Sequence, residues 1–300
     1  GLQPGARVTA RVTFGATART LLDGFVTHRQ LLPDGTSGAG TLTITGEDVG
    51  WALRKVERRQ AMTQLNIQAA VEAALARSDY AALRIRPRVV APSPDRAPSE
   101  FEGTVFQDAS DWDFLELLAQ PFAYVTYVRP GREALGNEVY WGPPPERGES
   151  QGRILVDAGP ATNVEGFDLR DDAASPRAFA GAVQDRTTDA QSTLRSEGDD
   201  GLTRTEILRF PGVTEERARS MLNARERESR DAAVVVTGQL DGARYGDVLR
   251  AYDFVTVQGL GGSHDGLYRV RRVEHSLRRG GYRQSFTASR ADAARGGGVR

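Results

Sequence analysis

The chain contains no cysteine, which excludes disulfides and thiolate metal sites. It is also almost without lysine. Of 39 basic residues only Lys55 is a lysine, and arginine suits buried or interfacial ion pairs better than lysine does. An excess of charge is missing too: 40 acids against 39 bases leave a formal net charge of -1. That gives no global attraction to nucleic acid or to an anionic membrane. No run of about 18 apolar residues occurs, so neither a transmembrane helix nor membrane insertion by this chain alone is expected. The three histidines, His28, His264 and His275, lack HExxH or other ligand spacing, so no metal and no cofactor is expected. The first residue is Gly1 with no signal-like apolar segment behind it.

What the sequence does contain is a repeated β pattern. Residues 252 to 290 read as three strands joined by glycine-rich turns. An abridged version stands near the N-terminus, where GARVTARVTF leads to LLDGFVTHRQ and, past PDGTSGAG, to TLTITG. In each copy an Asp-Gly pair (Asp23-Gly24, Asp265-Gly266) is expected to open a strand that carries a histidine, His28 or His275. In LYRVRRVEHSL strict alternation would separate Tyr268 and Val270 from Val273, His275 and Leu277. A bulge at Arg271-Arg272 restores all five to one face.

Between the copies the period changes. Val49, Leu53 and Val56 have helical spacing, with Trp51 and Ala52 adjacent, and residues 63 to 77 predict a second helix with a small-residue face. The four prolines of residues 87 to 100 predict an extended connector. Ser110 with Asp113 three residues later marks the start of a helix carrying Phe114, Leu117 and Leu118. FAYVTYV and EVYWG form an aromatic hairpin closed by Pro143-Pro144-Pro145, and residues 142 to 152 read as a linker. Short strands follow, then a polar mobile loop over residues 187 to 203, a helix begun by Thr214 and running to about Arg230, and a strand in AAVVVTGQL.

Candidate chemistry has a structural counterpart in each case. Asp111, Asp113 and Glu116 could serve as a carboxylate pair for glycan hydrolysis, but a helix start that favours ionised acids fits them better. Ser263-His264-Asp265 holds triad residue types on one turn, where relay geometry is not possible. GLGG at residues 259 to 262 precedes a strand, so a hairpin turn fits better than a phosphate loop. The aromatic hairpin (Tyr124, Tyr127, Tyr140, Trp141) could bind sugar, and the arginine-rich strand with Tyr268 and Tyr282 could bind single-stranded nucleic acid. A near-neutral chain argues against the latter.

The closing run with DGLYRVRRVEH, RRGGYR and QSFTASR resembles the late control gene D family, the baseplate hubs of contractile phage tails, related to the T-even hub and to type VI secretion spike proteins. SDWDFLELLAQPFAYVTYV with EVYWGPP resembles its central segment, and PGARVTARV, LLDGFVT and TLTITGED its first barrel. The resemblance spans most of residues 1 to 290. It implies a mainly β fold with α+β insertions, in which two similar, tail-tube-like β-barrel modules flank a smaller helix-and-hairpin region.

The expected division is a first module at 1–46, incomplete at its N-terminus relative to the family, and an α+β region at 47–150. Strands, loop and helix occupy 151–230, the second module 231–290 and a flexible tail 291–300. The resemblance further implies a non-catalytic homotrimer, assembled in the bacterial cytoplasm into a tail baseplate or injection particle. There it adapts a sixfold tube to a threefold spike. Its partners would be a tail-tube or tube-initiator protein, a separate spike chain and a tape measure protein, with no specific nucleic acid. Val8, Val12, Phe25, Val255, Val257, Tyr268, Val270 and Phe286 are expected in barrel core or ring packing. Arg269, Arg271, Arg272 and Arg283 are expected at intersubunit or lumen contacts. A cell-wall glycan-degrading or glycan-binding tail component is the alternative.

Overall fold

A computed structural model describes residues 2–33, 40–93, 95, 105–131, 136–172, 174–184, 191–197, 203–210 and 213–291. They form two compact units that divide between Pro143 and Pro144, inside the proline run that no helix or central strand can cross.

The first unit opens with an antiparallel sheet of β1 (Arg7–Phe14), β2 (Thr17–Leu32) and β3 (Thr41–Asp48), with β2 in the centre. Two residues of β2, Leu21 and Thr27, have no opposite number and bulge out of the ladder. Asp23-Gly24 lies in the middle of β2 and does not open it. The strand starts at Thr17, after a turn in which Gly15 has φ +57. Gly24 serves close approach instead: a Cβ there would stand 2.0 Å from the Glu47 carbonyl oxygen on β3. In the C-terminal copy Gly266 does open its strand.

A single helical turn, α1 (Gly50–Leu53), follows, shorter than the spacing to Val56 predicts. Glu57 already belongs to β4 (Glu57–Met62), whose pairing with a later strand takes these residues from the helix. Next come α2 (Ile67–Leu75) and β5 (Ile85–Val89). The helix begins at Ile67 because the Asn66 side chain accepts the Ala69 N–H at 2.8 Å. It buries Ala70, Val71, Ala74 and Leu75. β5 lies where a connector was expected, with Pro87 tolerated on a sheet edge.

β6 (Val105–Ser110) pairs with β4 and leads into α3 (Asp111–Ala119), whose Ser110 Oγ accepts the Asp113 N–H at 3.2 Å. β7 (Val125–Pro130) and β8 (Asn137–Gly142) pair antiparallel, and β5 adds to β8 in parallel. The core of this unit holds Leu53, Val71, Phe114, Leu115, Val139 and Trp141, all without exposed surface.

The second unit comprises β9 (Ser150–Leu155), β10 (Val164–Asp171), β11 (Ala178–Gln184), β12 (Gln191–Arg195), β13 (Thr205–Arg209) and α4 (Glu215–Asp231), followed by β14 (Val234–Asp241), α5 (Gly242–Tyr245), β15 (Phe254–Gln258), β16 (Gly266–Arg278) and β17 (Gly281–Arg290). Six strands form a curled, half-barrel sheet in the order β10-β14-β17-β16-β15-β9. Its inner face carries Ile154, Val236, Leu240, Val255, Val257, Tyr268, Val270 and Phe286. A smaller sheet, β12-β11-β13, is covered by α4, which buries Ala218, Met221 and Leu222.

Thr214 stands at the N-cap of α4 with extended backbone, but its side chain makes no capping bond. Part of the expected loop over 187 to 203 is β12, held by five residue pairs with β11. Residues 187–190 and 198–202 of that loop, and the tail beyond Ala291, lie outside the described residues. The fold is mainly β with α+β insertions.

Candidate functional site

The β16 strand contains the expected irregularity. Its register with β17 shifts between Val270 and Arg272, leaving Arg271 without an opposite number. Tyr268 and Val270 are fully buried and Val273 and His275 half-buried, while Leu277 at the strand end is 53% exposed. The bulge therefore keeps most of one apolar face inward across a bend.

Val255, Val257, Tyr268, Val270 and Phe286 lie in the core of the second unit, and Val8, Val12 and Phe25 are half-buried on the first sheet. Arg271 and Arg272 are exposed. Arg283 is exposed as well, with its Nη1 on Glu165 at 2.5 Å and on Gln239 at 2.8 Å. Arg269, expected at intersubunit or lumen contacts, is engaged within its own unit. It is 6% exposed, bonds the Asp231 carboxylate at 2.5 Å and donates to the Pro145 carbonyl at 2.8 Å. Strand alternation turns it away from the Tyr268 face, onto the end of α4 and the chain that enters the unit. It is an internal clamp.

The acidic cluster of α3 has a role that spacing did not reveal. The Asp111 carboxylate is fully buried and accepts four donors. Arg58 Nε stands at 3.1 Å and Tyr80 Oη at 2.6 Å from one oxygen. Arg77 Nε at 3.1 Å and Gln107 Nε2 at 2.7 Å satisfy the other. Burial, with Asp111 alongside, pushes the Tyr80 phenol up to about 12. Asp113 accepts from the Ser110 hydroxyl and Glu116 from Trp112 Nε1, each at 2.6 Å. All three acids are engaged within the fold, and none stands ready as a free general acid.

The aromatic hairpin turns inward. Trp141 is fully buried and donates to the Leu115 carbonyl at 2.8 Å; Tyr140 is 4% exposed and bonds the Pro143 carbonyl at 2.7 Å. Two of the four aromatics named as a sugar platform, Tyr140 and Trp141, are therefore packed away, while Tyr124 and Tyr127 are half-buried. Ser263-His264-Asp265 is a turn: Asp265 accepts the Leu260 N–H at 2.7 Å, and Tyr268 Oη reaches the His264 carbonyl at 2.7 Å. GLGG belongs to the same β15–β16 connection, where Gly259 (φ +103) passes so near Val156 that a Cβ would lie 1.9 Å from its carbonyl oxygen. Among the described residues no cluster of three or more His, Cys, Asp or Glu side chains could hold a metal. No described helix is long and apolar enough to cross a membrane.

What remains are surfaces. Beyond its Thr27 bulge β2 is exposed from His28 to Leu32, and it pairs there with residues 41 to 45 of β3, which are exposed except for the half-buried Ile44. This hairpin arm carries Leu31, Leu32 and Leu42 at 64%, 54% and 47% exposure. Among the described residues no strand pairs with the outer edges of β1, β3, β9 or β10. The only sequence signal for the arm was the unalternated Leu31-Leu32 pair before a turn.

No protein-family model matches the chain, and no curated protein matches it by sequence. Solved structures do. The tail protein from Neisseria meningitidis MC58 aligns with a TM-score of 0.65 at 12% identity, over 91% of this chain and 81% of that one. A 43 kDa tail protein of prophage MuSo2 from Shewanella oneidensis aligns at 0.63 and 12% identity, over 97% and 86%. An E. coli component of the type VI secretion system, described as similar to the T4 tail proteins gp27 and gp5, aligns at 0.62 and 12% identity. That alignment covers 95% of this chain and 64% of the other. With its curled sheet, the chain has the fold of these tail proteins and of this type VI secretion component.

Proposed function

We propose that the chain is a structural baseplate hub of a phage-like contractile tail or injection particle. In that role it forms a homotrimer that adapts a sixfold tube to a threefold spike and couples them mechanically. One observation carries the reading. A chain with the fold of tail proteins presents, among its described residues, open edges on both its main sheets and an arm with the exposed leucines Leu31, Leu32 and Leu42. Unpaired strand edges are templates for further pairing, and closing them in a ring of subunits removes the hazard. Tube, spike and tape measure proteins are the partners such a ring would contact, and the bacterial cytoplasm is where the particle would assemble.

The full chain, co-expressed with the tube and spike proteins of its own gene neighbourhood, tests this by native mass measurement and electron microscopy. The expected result is a threefold density at the tube–spike junction that accommodates three copies. Particles that form without this chain, or that carry it elsewhere than at that junction, refute the assignment.

A further inference from the structure

The first unit contains a cleft that the hub reading does not use. It measures about 360 Å³ and is lined by Phe25, Trp51, Ala52, Lys55, Val56, Asp79 and Tyr80, among others. That size lies near the lower end of the roughly 300–1,000 Å³ typical of ligand pockets.

Its walls are fixed by local chemistry. One is α1, begun where Asp48 accepts the Gly50 N–H at 2.8 Å. The turn sets Trp51 against Phe25, with ring centroids 5.5 Å apart, and brings the Lys55 ammonium 3.7 Å from the centre of the indole. The opposite wall is the 3-10 segment Ser78–Leu83. Tyr80 pins it to the buried Asp111 at 2.6 Å, Arg58 holds Asp79 at 2.6 Å and Arg7 reaches the Ala82 carbonyl at 3.2 Å. Both walls are therefore held in place without a ligand, as preorganised binding requires.

The charges are not balanced in the same way. Asp79 already has Arg58, and Asp111 has Arg58 and Arg77. Lys55, the sole lysine of the chain, is exposed and meets no carboxylate among the described residues; the indole face is its one partner. Val56, next to it, is 45% exposed. Among the described residues the cleft thus offers an aromatic and aliphatic floor beneath one ammonium that no carboxylate neutralises, with the one acid of its lining, Asp79, held by Arg58.

We propose that this cleft binds a peptide segment of a partner protein in which an apolar side chain is followed by a carboxylate. The apolar group would rest on Phe25, Trp51 and Val56, and the carboxylate would take the Lys55 ammonium. Aromatic anchors in half-enclosed pockets are where binding energy concentrates, and the ion pair at the rim adds selectivity more than affinity. The proposal does not depend on the tail-hub reading.

The full chain, titrated with the blocked peptides acetyl-Ala-Leu-Asp-Ala-amide and acetyl-Ala-Leu-Asn-Ala-amide, tests it. The readout is the NMR shift of the Trp51 indole N–H, assigned with Trp51→Phe. The aspartate peptide is expected to move that signal and to bind up to about fivefold more tightly than its asparagine twin, the range of an exposed ion pair. Lys55→Gln, a change at an exposed side chain, is expected to erase the difference while leaving the asparagine peptide unaffected. Ala52→Leu, which fills the cleft without altering charge, is expected to weaken both. Equal binding of the two peptides, or no shift at Trp51 at millimolar peptide, overturns the proposal. So does concentration-dependent self-association that Lys55→Gln abolishes, since that would make the occupant a second copy of the chain.

Discussion

Removing the Asp111 carboxylate would leave the Arg58 and Arg77 guanidiniums, 21% and 18% exposed, without the anion between them. Breaking a buried pair from one side costs about 3–5 kcal/mol. Asp111→Ala is accordingly expected to lower the stability of the first unit by that amount in urea unfolding. Tyr80→Phe, which removes one hydrogen bond to the charged oxygen, is expected to cost about 1.5–3 kcal/mol. If Asp111→Ala proves neutral, the network is not a stabilising element. Most of this could not be read from the chain, because three of the four donors lie 53, 34 and 31 residues from Asp111, and only Gln107, four residues away, falls within a local window. The capping of α3 was legible, because Ser110 and Asp113 are three residues apart.

His275 gives a prediction of its own. Its ring is half-buried, with Nδ1 2.9 Å from the Tyr282 hydroxyl, and burial, aided by the Arg250 charge, lowers its pKa below the ordinary histidine value. The unfolded chain therefore takes up this proton at a higher pH than the folded one. Between the ordinary value of about 6.5 and the lower folded value, stability falls as pH falls. His275→Gln is expected to flatten that part of the curve of melting temperature against pH. An unchanged slope would mean that His275 titrates alike in both states.

At the scale of elements, the bulge in β16 separates a residue's chemistry from its presence. Arg271 is exposed and unpaired in the ladder, so Arg271→Ala is expected to stay within about 0.5 kcal/mol of the parent. Deleting the residue is a different matter. Because Arg271 is the extra residue, and Val270 and Arg272 already pair with the consecutive Ala288 and Thr287, its removal leaves a regular ladder in which Val273 and His275 keep their inward face and only the local bend is lost. The deletion is expected to keep cooperative unfolding of the second unit by calorimetry while costing about 0.5–3 kcal/mol through the straightened strand, and loss of the transition would show that the bend itself is indispensable to the core.

The bulge was legible because five residues within one strand disagreed about their faces. The α4 helix and the β15–β17 meander were legible for a related reason, since their period and their glycine turns are local. β12 and β5 were not. Each has five residues, and each is a strand because β11 or β8 offers a partner. Tertiary pairing outweighs propensity in such short segments.

For the whole molecule, the proposed assembly rests on the edges left open among the described residues and on the hairpin arm, and the arm allows the sharper test. Leu31 and Leu42 are directly opposite in the β2–β3 register, at 64% and 47% exposure. Their removal therefore opens no cavity. Replacing both with lysine is expected to change the stability of the isolated chain by no more than about 0.5 kcal/mol per site. In an assembled ring the same two charges would lie between subunits. A buried unpaired charge there costs several kcal/mol, and three subunits would each contribute two. The variant is expected to fold with a native melting temperature yet fail to form the trimer or to enter particles. If it assembles normally, the arm faces solvent in the particle, and the sheet edges alone must supply the contacts between subunits. If it melts well below the parent, the arm is packed within its own chain. Its exposed leucines could not then be read as an interface.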